Sequence, residues 1–309
     1  QYHENVSTVH EYFQGINIAG TVLFDEPMSR HTTFEVGGPA DVFVRPKGEE
    51  DIPIVLQTAA AAETPLFVLG GGANILVADA GIRGIVLDIT GLDEVSHEGI
   101  LLSCGAGADV TAVTSYAADA GLGGIDFLHS MPGTIGGAVW MNARCYGSSI
   151  VDILREVRGV TPEGARFLYQ PREKDWEYKK SPFQTRPDVI TGCEFTLYRE
   201  DPGEIWDRML GYYRDREQKG HFAAPSAGSV FKNNRAYGKP SGAIIDSLGL
   251  RGTRVGGAQV SDEHANIIVN TGNATAWDIR NLMERVRREV QDRLGLELEQ
   301  EVLYVGEWQ

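Results

Sequence analysis

The segment Met131–Ala138 constrains the fold more than any other stretch of the chain. Its sequence, MPGTIGGA, places three glycines and one proline within eight positions. Glycine adopts backbone conformations, and allows close approaches, that a residue with a side chain does not permit. The apolar residues that follow predict a helix or buried segment beginning at this turn, with unpaired backbone N–H groups pointing outward. Such an arrangement is typical of a site that holds phosphate.

Another glycine-rich loop follows the apolar run at 65–69; in chain order it is the first glycine loop, and Met131–Ala138 is the second. Its sequence over Leu69–Asn74 is LGGGAN. Two loops of this kind predict a dinucleotide ligand. The G-x-G-x-x-G fingerprint is imperfect, because no glycine closes it after Asn74 and no acidic ribose ligand stands at the expected distance. A standard Rossmann domain is therefore disfavoured.

Composition excludes several classes of protein. A chain of 309 residues is long enough for two domains with a sizeable core. The net charge of −15 argues against binding to nucleic acid or to a membrane surface, because both need basic patches. No apolar run approaches the length of a membrane span, and Gln1–Asn5 has no signal-peptide pattern. The three cysteines have unrelated spacings, which predicts a reducing, cytoplasmic location without disulfides or a zinc site.

The hydrophobic pattern predicts short strands mixed with helices, and a composition shift near residue 200. We therefore expect one domain over 1–200 and a second over 201–309. Asp109 is the expected N-cap of a helix that runs to about Gly121. Other expected helices lie at 49–62, 205–219, 241–248 and 274–294, and expected strands at 41–45, 66–69, 85–88, 100–103, 153–160, 189–199, 256–269 and 301–305.

The segment Ala227–Asn233 combines a hydroxyl, an ammonium and an amide within five positions. If it is extended, alternation places Ser229, Phe231 and Asn233 on one face. No His–Asp partner pattern supports Ser229 as a nucleophile, but a hydroxyl that donates a proton is chemically possible. An exposed polar loop is the simpler interpretation of the same residues.

Three further features have both a structural and a functional interpretation. The segment Tyr178–Phe183 is a basic cluster in an acidic chain, and a solvated loop would also explain it. Glu301 opens the predicted terminal strand, where acidic residues usually prevent aggregation. His264 is a single histidine without a catalytic partner pattern, and such a histidine more often makes a structural hydrogen bond than takes part in catalysis. No cluster of histidine, cysteine and carboxylate residues has metal-ligand spacing, so no metal is predicted.

Taken together and in order, these motifs resemble the UDP-N-acetylenolpyruvoylglucosamine reductases, also called UDP-N-acetylmuramate dehydrogenases. The likeness runs from about residue 30 to the C-terminus and fits the shorter form, which lacks a tyrosine loop. The matching segments are 33–40, 70–74, 132–138, 141–143, 178–183, 227–233, 256–261, 264–266 and 301–302. The resemblance implies an α+β fold, with a two-subdomain FAD-binding region of the vanillyl-alcohol-oxidase (PCMH) type and a smaller α+β C-terminal substrate domain.

The resemblance also implies an activity in cell-wall biosynthesis. The family reduces the enolpyruvyl group of UDP-N-acetylenolpyruvoylglucosamine to UDP-N-acetylmuramate for peptidoglycan. NADPH is the hydride donor and non-covalently bound FAD is the cofactor, so the chain would be an FAD-dependent oxidoreductase acting on a CH–CH group. Its partner would be the small UDP-sugar, with no nucleic acid, no membrane and no obligate protein partner.

The family implies roles for individual residues. Ser229 would donate a proton to C2 of the substrate, and Lys179 and Glu301 would act where charge develops on its carboxylate. The expected substrate-binding residues are Tyr178, Lys232, Asn233 and His264. The expected FAD-binding residues are Gly70, Gly71, Gly72, Ala73, Asn74, Pro132, Gly133, Thr134, Ile135, Gly136, Gly137, Ala138 and Asn142.

Three departures from the family pattern leave alternatives open. Lys179 stands where the family usually has arginine, which keeps the charge but loses the two-pronged grip on a carboxylate. Arg144 and Cys145 replace small residues, as does His129, so covalent attachment of flavin at Cys145 or His129 is a minor alternative. Another flavin oxidoreductase of the superfamily, and a non-catalytic nucleotide-binding descendant, are the competing functional interpretations.

Overall fold

The computed structural model describes residues 9–309, so the expectation for Gln1–Asn5 lies outside the described residues. The chain forms two compact units from discontinuous segments. The first comprises the described residues up to Asp25, Asp41–Gly71 and Gly84–Tyr213, and the second comprises Glu26–Ala40, Gly72–Arg83 and Arg214–Gln309. The division into domains near residue 200 stays a prediction. Within the described residues, no helix has both the length and the apolar character needed to cross a membrane.

The secondary structure mixes helices and short strands throughout. Among residues 15–309 the α-helices are α1 (Asp51–Ala61), α2 (Val110–Asp119), α3 (Ile135–Trp140), α4 (Pro202–Gln218), α5 (Ser241–Ser247) and α6 (Ala276–Leu294). The strands are β1 (Thr21–Pro27), β2 (Pro39–Arg45), β3 (Leu66–Leu69), β4 (Ile75–Val77), β5 (Ile82–Asp88), β6 (Val95–Glu98), β7 (Leu101–Gly105), β8 (Leu122–Gly123), β9 (Arg144–Cys145), β10 (Ser148–Ser149), β11 (Leu154–Val160), β12 (Arg166–Tyr169), β13 (Val189–Thr196), β14 (Tyr198–Arg199), β15 (Ser226–Ser229), β16 (Arg254–Val255), β17 (Ala258–Val260), β18 (Ile267–Asn270) and β19 (Leu303–Val305).

The first unit is built around a five-stranded antiparallel sheet in the order β12-β11-β13-β7-β6. Strand β3, which leads into the first glycine loop, pairs in parallel with β5. Helix α2 begins where the sequence predicts, because the Asp109 side chain accepts the N–H of Ala112 at 2.9 Å. The helix and the sheet share one apolar core, which also includes Ile135 and Ala138 of the second glycine loop.

The second unit is built on a four-stranded sheet in the order β15-β18-β17-β16. Helix α6 covers it with an apolar stripe that includes Leu282, Met283 and Val286. A capping box between Thr275 and Asp278 starts this helix. Strand β19 pairs in parallel with β4, the strand that follows the first glycine loop.

Two expectations for the C-terminal half are wrong in detail. Ser229, Phe231 and Asn233 do not alternate along one strand, because β15 ends at Ser229 after a bulge at Gly228, where φ is 66°. Glu301 does not open the terminal strand, which starts at Leu303. Its N–H bonds to the carbonyl of Val230 instead, 2.9 Å away.

One arginine fastens α4 to the segment that precedes the second glycine loop. Arg208 donates two hydrogen bonds of 2.7 Å to Glu200 and one of 3.0 Å to Asp126. Burial of Asp126 opposes its ionisation, but hydrogen bonds from Arg208 and the Gly124 N–H outweigh it and hold the pKa of Asp126 below its ordinary value. The hydrogen bonds from Arg208 also lower the pKa of Glu200.

Replacing Arg208 with methionine should therefore destabilise the fold in a pH-dependent way. We expect a loss of about 1–3 kcal/mol in the free energy of unfolding at pH 7, because a buried carboxylate loses its partner. Carboxyl groups with lowered pKa values stabilise the fold above their unfolded pKa, and that stabilisation disappears as the pH falls through the folded value. The loss should thus shrink below about pH 4 in urea unfolding.

The matched control is Arg155→Met, which removes the more exposed ion pair with Glu194. It should cost about 0–1 kcal/mol. Equal costs for the two variants at pH 7, or a cost for Arg208→Met that stays constant down to pH 3, would contradict the account of this network.

Candidate active site

The two glycine loops pack backbone against backbone in the first unit. A Cβ atom on Gly71 would lie 2.7 Å from the Cα of Gly133, and one on Gly70 would lie 2.6 Å from the Oγ1 of Thr134. Neither distance leaves room for a side chain. The glycines are therefore required by this close approach, which brings the two predicted phosphate loops together.

The expectation of unpaired N–H groups at the start of α3 is wrong for its first three residues. The N–H of Ile135 donates to the carbonyl of Ala108 at 2.9 Å, and that of Gly136 to the carbonyl of Ala106 at 2.7 Å. The N–H of Gly137 donates to the side chain of Thr134, the N-cap, at 3.2 Å. The preceding strand–helix connection satisfies the helix terminus internally, so these three groups do not form an open phosphate cradle.

Buried polar atoms on either side of the second loop indicate a ligand. The Oγ of Ser130 and the Oδ1 of Asn142 are buried and have no hydrogen-bond partner among residues 9–309. Both residues have positive φ, 61° and 46°, a conformation that costs energy outside glycine. Native proteins rarely leave buried polar atoms unpaired, so a bound molecule with matching hydrogen-bond donors fits here. Sequence reasoning identified Asn142 and missed Ser130, a common residue without a local signature.

The unusual residues near this loop have structural contacts. The Nδ1 of buried His129 lies 2.8 Å from the Oγ1 of Thr114 on α2. The Cys145 thiol donates to the carbonyl of Phe127 at 2.9 Å, and Arg144 donates to the Oγ of Ser149 at 3.1 Å. The contacts of His129 and Cys145 join the segment before the loop to α2 and β9, and the contact of Arg144 lies within the β9–β10 pair. Each residue therefore has a structural role, and non-covalent binding of flavin stays the prediction.

The segment that carries Lys179 is anchored rather than freely solvated. Lys179 has φ of 57°, and its carbonyl accepts from the side chain of Gln184 at 3.0 Å. The Ser181 hydroxyl donates to the carbonyl of Trp140 at 2.7 Å, and the side chain of Asn142 donates to the carbonyl of Glu177 at 2.8 Å. Phe183 is buried in an aromatic cluster, whose other members are Phe167, Tyr169 and Trp176. Helix α3 and the aromatic cluster thus fix the lysine backbone beside the second loop.

In the second unit, the peptide of Glu301 joins two other predicted site segments. Its N–H donates to the carbonyl of Val230, the residue after Ser229, at 2.9 Å. Its carbonyl accepts from the side chain of Asn74 at 3.2 Å, and the Leu303 N–H donates to the Asn74 carbonyl at 3.0 Å. Residues far apart in sequence, and predicted from separate motifs, therefore meet at one place.

The expected substrate-binding residues of this unit already have protein partners. The Nζ of Lys232 lies 2.7 Å from a carboxylate oxygen of Glu299. The Oδ1 of Asn233 accepts from the N–H of Ser241 at 2.9 Å, at the start of α5. These contacts orient both side chains, and a role of either residue in substrate binding stays a prediction.

His264 is a neutral imidazole at neutral pH. Its Nδ1 accepts from the N–H of Asn266 at 3.1 Å, which leaves the proton on Nε2. Burial, together with Lys219 and Arg251, lowers the pKa of His264, and burial lowers the pKa of His221, whose ring centre is 5.7 Å away, to about 4. His264 can therefore donate a hydrogen bond to a ligand without carrying a charge. Asn266 itself was not predicted as a site residue.

Comparison with known proteins defines first the class and then the family. Residues 40–167 match the family described as FAD binding domain. Residues 220–305 match the C-terminal domain of UDP-N-acetylenolpyruvoylglucosamine reductase. The protein is thus a flavoprotein, with an FAD-binding region followed by the C-terminal domain of this reductase. The two orphaned buried atoms and the packed glycine loops fit that cofactor.

Similarity over nearly the whole chain identifies the family. The reductase from Geobacter metallireducens is 42% identical over 293 residues, which cover 94% of this chain and 96% of the relative. That from Treponema denticola is 38% identical over 308 residues, covering 94% and 95%. The crystal structure of the Thermus caldophilus reductase matches with a TM-score of 0.76 and 32% identity, over 94% of this chain and all of that one. The chain belongs to the UDP-N-acetylenolpyruvoylglucosamine reductase family, which confirms the resemblance and the fold class.

The contact between the glycine loops leads to a direct prediction. In Gly71→Ala the new methyl group would collide with the backbone of Gly133, so the loops must separate. We expect purified Gly71→Ala to lose most of its bound FAD, measured as the ratio of flavin to protein absorbance.

Gly211→Ala is the matched control. Gly211 lies within α4, and apart from its chain neighbours and the nearby backbone of its own helix, no atom of the described residues lies within 4 Å of the position of a new Cβ. This variant should keep its FAD and gain about 0.5–1 kcal/mol of stability, because alanine favours a helix. Full FAD content in Gly71→Ala would contradict the proposed contact between the loops and the cofactor.

Proposed function

We propose that this protein reduces the enolpyruvyl group of UDP-N-acetylenolpyruvoylglucosamine to UDP-N-acetylmuramate, a step of peptidoglycan synthesis, with NADPH as the hydride donor and FAD as the cofactor. The observation that carries the proposal is the meeting of Asn74, Glu301 and the residue after Ser229 in the second unit. A glycine-loop residue and the two expected catalytic positions then belong to one site. Family membership supports the same reaction.

Several residues would hold the FAD. Gly70, Gly71 and Gly133 present a backbone surface without side chains, which suits a pyrophosphate that must approach closely. Ser130 and Asn142 offer buried acceptor atoms to N–H or hydroxyl groups of the cofactor. When bound, FAD supplies the capacity to accept a hydride from NADPH and deliver it to the substrate.

Ser229 would donate the proton that completes the reduction. Hydride arrives at C3 of the enolpyruvyl group, so C2 becomes strongly basic and must be protonated. A serine hydroxyl is a weak acid in water and serves only where such a base is presented to it at close range. Ser229 is partly buried at the end of β15, next to a peptide that is hydrogen-bonded to Glu301.

Lys179 and Glu301 would act at the substrate carboxylate, where negative charge develops during the reaction. The ammonium of Lys179 stabilises that charge as a point charge, without the paired hydrogen bonds that arginine would make. An ionised Glu301 would repel the same charge, so in this role it is protonated or holds a water or a cation in place. Tyr178, Lys232, Asn233 and His264 would bind the rest of the UDP-sugar.

We further propose a cytoplasmic protein that acts without nucleic acid, a membrane surface or an obligate protein partner. The net charge of −15 supports the absence of nucleic-acid and membrane partners, because nucleic acids and membrane surfaces are themselves anionic. Cys104, Cys145 and Cys193 form no disulfide within the described part of the chain, which supports a reducing compartment.

Product analysis tests the proposed reaction. The protein is incubated with NADPH and UDP-N-acetylenolpyruvoylglucosamine, and the UDP-sugar is recovered for mass spectrometry. We expect a product heavier by two hydrogens, formed in equal amount to the NADPH consumed. Consumption of NADPH that is independent of the UDP-sugar would instead indicate an oxidase, and the absence of any consumption would indicate a non-catalytic protein.

Ser229→Ala should separate the two half-reactions. Reduction of the bound flavin by NADPH should stay within about 3-fold of the wild-type rate, because no proton is donated to C2 in that step. Reoxidation by the UDP-sugar should slow by about 10²- to 10⁴-fold, the usual contribution of a general acid. Stopped-flow absorbance measures both rates, and an equal loss in both would refute the role of Ser229 as proton donor.

Substitutions of Lys179 should show whether that position acts through its charge. Lys179→Arg keeps the charge and should keep turnover within about 10-fold. Lys179→Ala removes it and should lower turnover by about 10²- to 10³-fold, as expected for one electrostatic group at a site of developing charge. A harmless Lys179→Ala substitution in a steady-state NADPH assay would remove Lys179 from the site.

A further inference from the structure

Ser229 owes its place on the sheet to an extra residue in its strand. Ser226 lies opposite Val269 on β18, yet Ser229 lies opposite Ile267, so three steps on β15 match two on β18. A regular ladder would put Gly228 opposite Ile267 and turn Ser229 to the other face. Gly228 has a φ of 66°, and this left-handed conformation accommodates the extra residue.

Asn266, the residue before β18, holds the chain immediately beyond this bulge. Its carbonyl accepts from the N–H of Val230 at 2.9 Å. Its side-chain Oδ1 accepts from the N–H of Phe231 at 3.1 Å, and its Nδ2 donates to the carbonyl of Phe231 at 2.9 Å. Asn266 is 2% exposed, and Phe231 is equally buried. The Asn266 side chain therefore pairs with both the backbone N–H and the backbone carbonyl of Phe231. Phe231 lies beyond the last residue of β15 that pairs with β18, which is Ser229.

The same two residues connect Ser229 to Glu301. The carbonyl of Val230 accepts from the N–H of Glu301, and Phe231 forms an antiparallel bridge with Gln300. A shift of the Val230–Phe231 segment would move both expected catalytic positions at once. The hydrogen bonds from Asn266 oppose such a shift from the side of the sheet.

We propose that Asn266 is a positioning residue for the reaction, which holds the Val230–Phe231 segment so that Ser229 and Glu301 keep their places relative to each other. The inference rests on the proposed function of Ser229 and goes beyond it. Asn266 touches neither reacting atoms nor cofactor in this account. It acts through the peptide groups on the C-terminal side of the bulge.

Asn266→Asp tests the inference with almost no change in size. The carboxylate still accepts from the N–H of Phe231 but cannot donate to its carbonyl, and it places negative charge against that oxygen. We expect reoxidation of the flavin by the UDP-sugar to slow by about 10- to 100-fold at pH 8, the effect of one lost hydrogen bond with a buried unpaired acceptor. Reduction by NADPH should stay within about 3-fold of wild type.

Asn270→Asp is the matched control, at the other end of β18. Asn270 is 6% exposed, its Nδ2 donates to the carbonyl of Phe34 at 2.9 Å, and its Oδ1 accepts from the N–H groups of Gly272 and Ala274. The substitution removes the same kind of donor in the same unit without touching the Val230–Phe231 segment. It should lower stability but leave the ratio of the two half-reaction rates at the wild-type value.

A pH profile adds a readout that general destabilisation would not move. Below the pKa of the new carboxyl group, its O–H can donate to the carbonyl of Phe231 and its C=O can accept from the N–H, as the amide does. The reoxidation rate of Asn266→Asp, divided by that of wild type, should therefore rise as the pH falls from 8 to 5. Dividing by the wild-type rate removes the titrations of His264, whose Nδ1 accepts from the Asn266 N–H, and of the adjacent His221.

The outcomes distinguish the inference from the function on which it rests. If Ser229→Ala reoxidises at the wild-type rate, the proposed proton donor is wrong. If Ser229→Ala is blocked but Asn266→Asp behaves like Asn270→Asp, the positioning role is overturned. If Asn266→Asp does not fold, Asn266→Gln, which keeps the amide on a longer arm, should show the same selective loss of reoxidation. Wild-type reoxidation in Asn266→Gln would also overturn the inference.

Discussion

The hydrogen bonds on both sides of the Glu301 peptide are the constraint on which the candidate site depends. The N–H reaches the segment after Ser229, and the carbonyl is held by Asn74 of the first glycine loop. Backbone groups therefore fix the positions of Glu301 and of the residue after Ser229 relative to Asn74. A buried backbone group without a partner is costly, which makes this junction hard to distort.

In the first unit, close packing of glycines fixes the positions of the two glycine loops relative to each other. Gly71 and Gly133 touch because neither carries a side chain, and the start of α3 is tied to the strand–helix connection at Ala106 and Ala108. The N–H groups that sequence reasoning assigned to phosphate are used to build the loop. We therefore propose that binding of the FAD depends on the shape of the loops and on buried acceptors without a partner, such as the Oδ1 of Asn142.

The sequence was informative where local chemistry decides structure. Asp109 is a helix cap within its own turn, and the glycine loops follow directly from residue type, so both could be predicted. The bulge at Gly228 and the position of Glu301 could not, because they depend on strands far away in sequence. The positioning role proposed for Asn266 could not be predicted for the same reason, because its side chain binds the backbone of Phe231, 35 residues away in sequence.

The proposed reaction is best tested by an anaerobic titration followed by visible absorbance. Purified protein is treated first with NADPH and then with UDP-N-acetylenolpyruvoylglucosamine. We predict that the flavin band bleaches with NADPH and returns with the UDP-sugar, which would identify the cofactor, the donor and the acceptor in one experiment. A band that bleaches and stays bleached after the UDP-sugar is added would contradict the account.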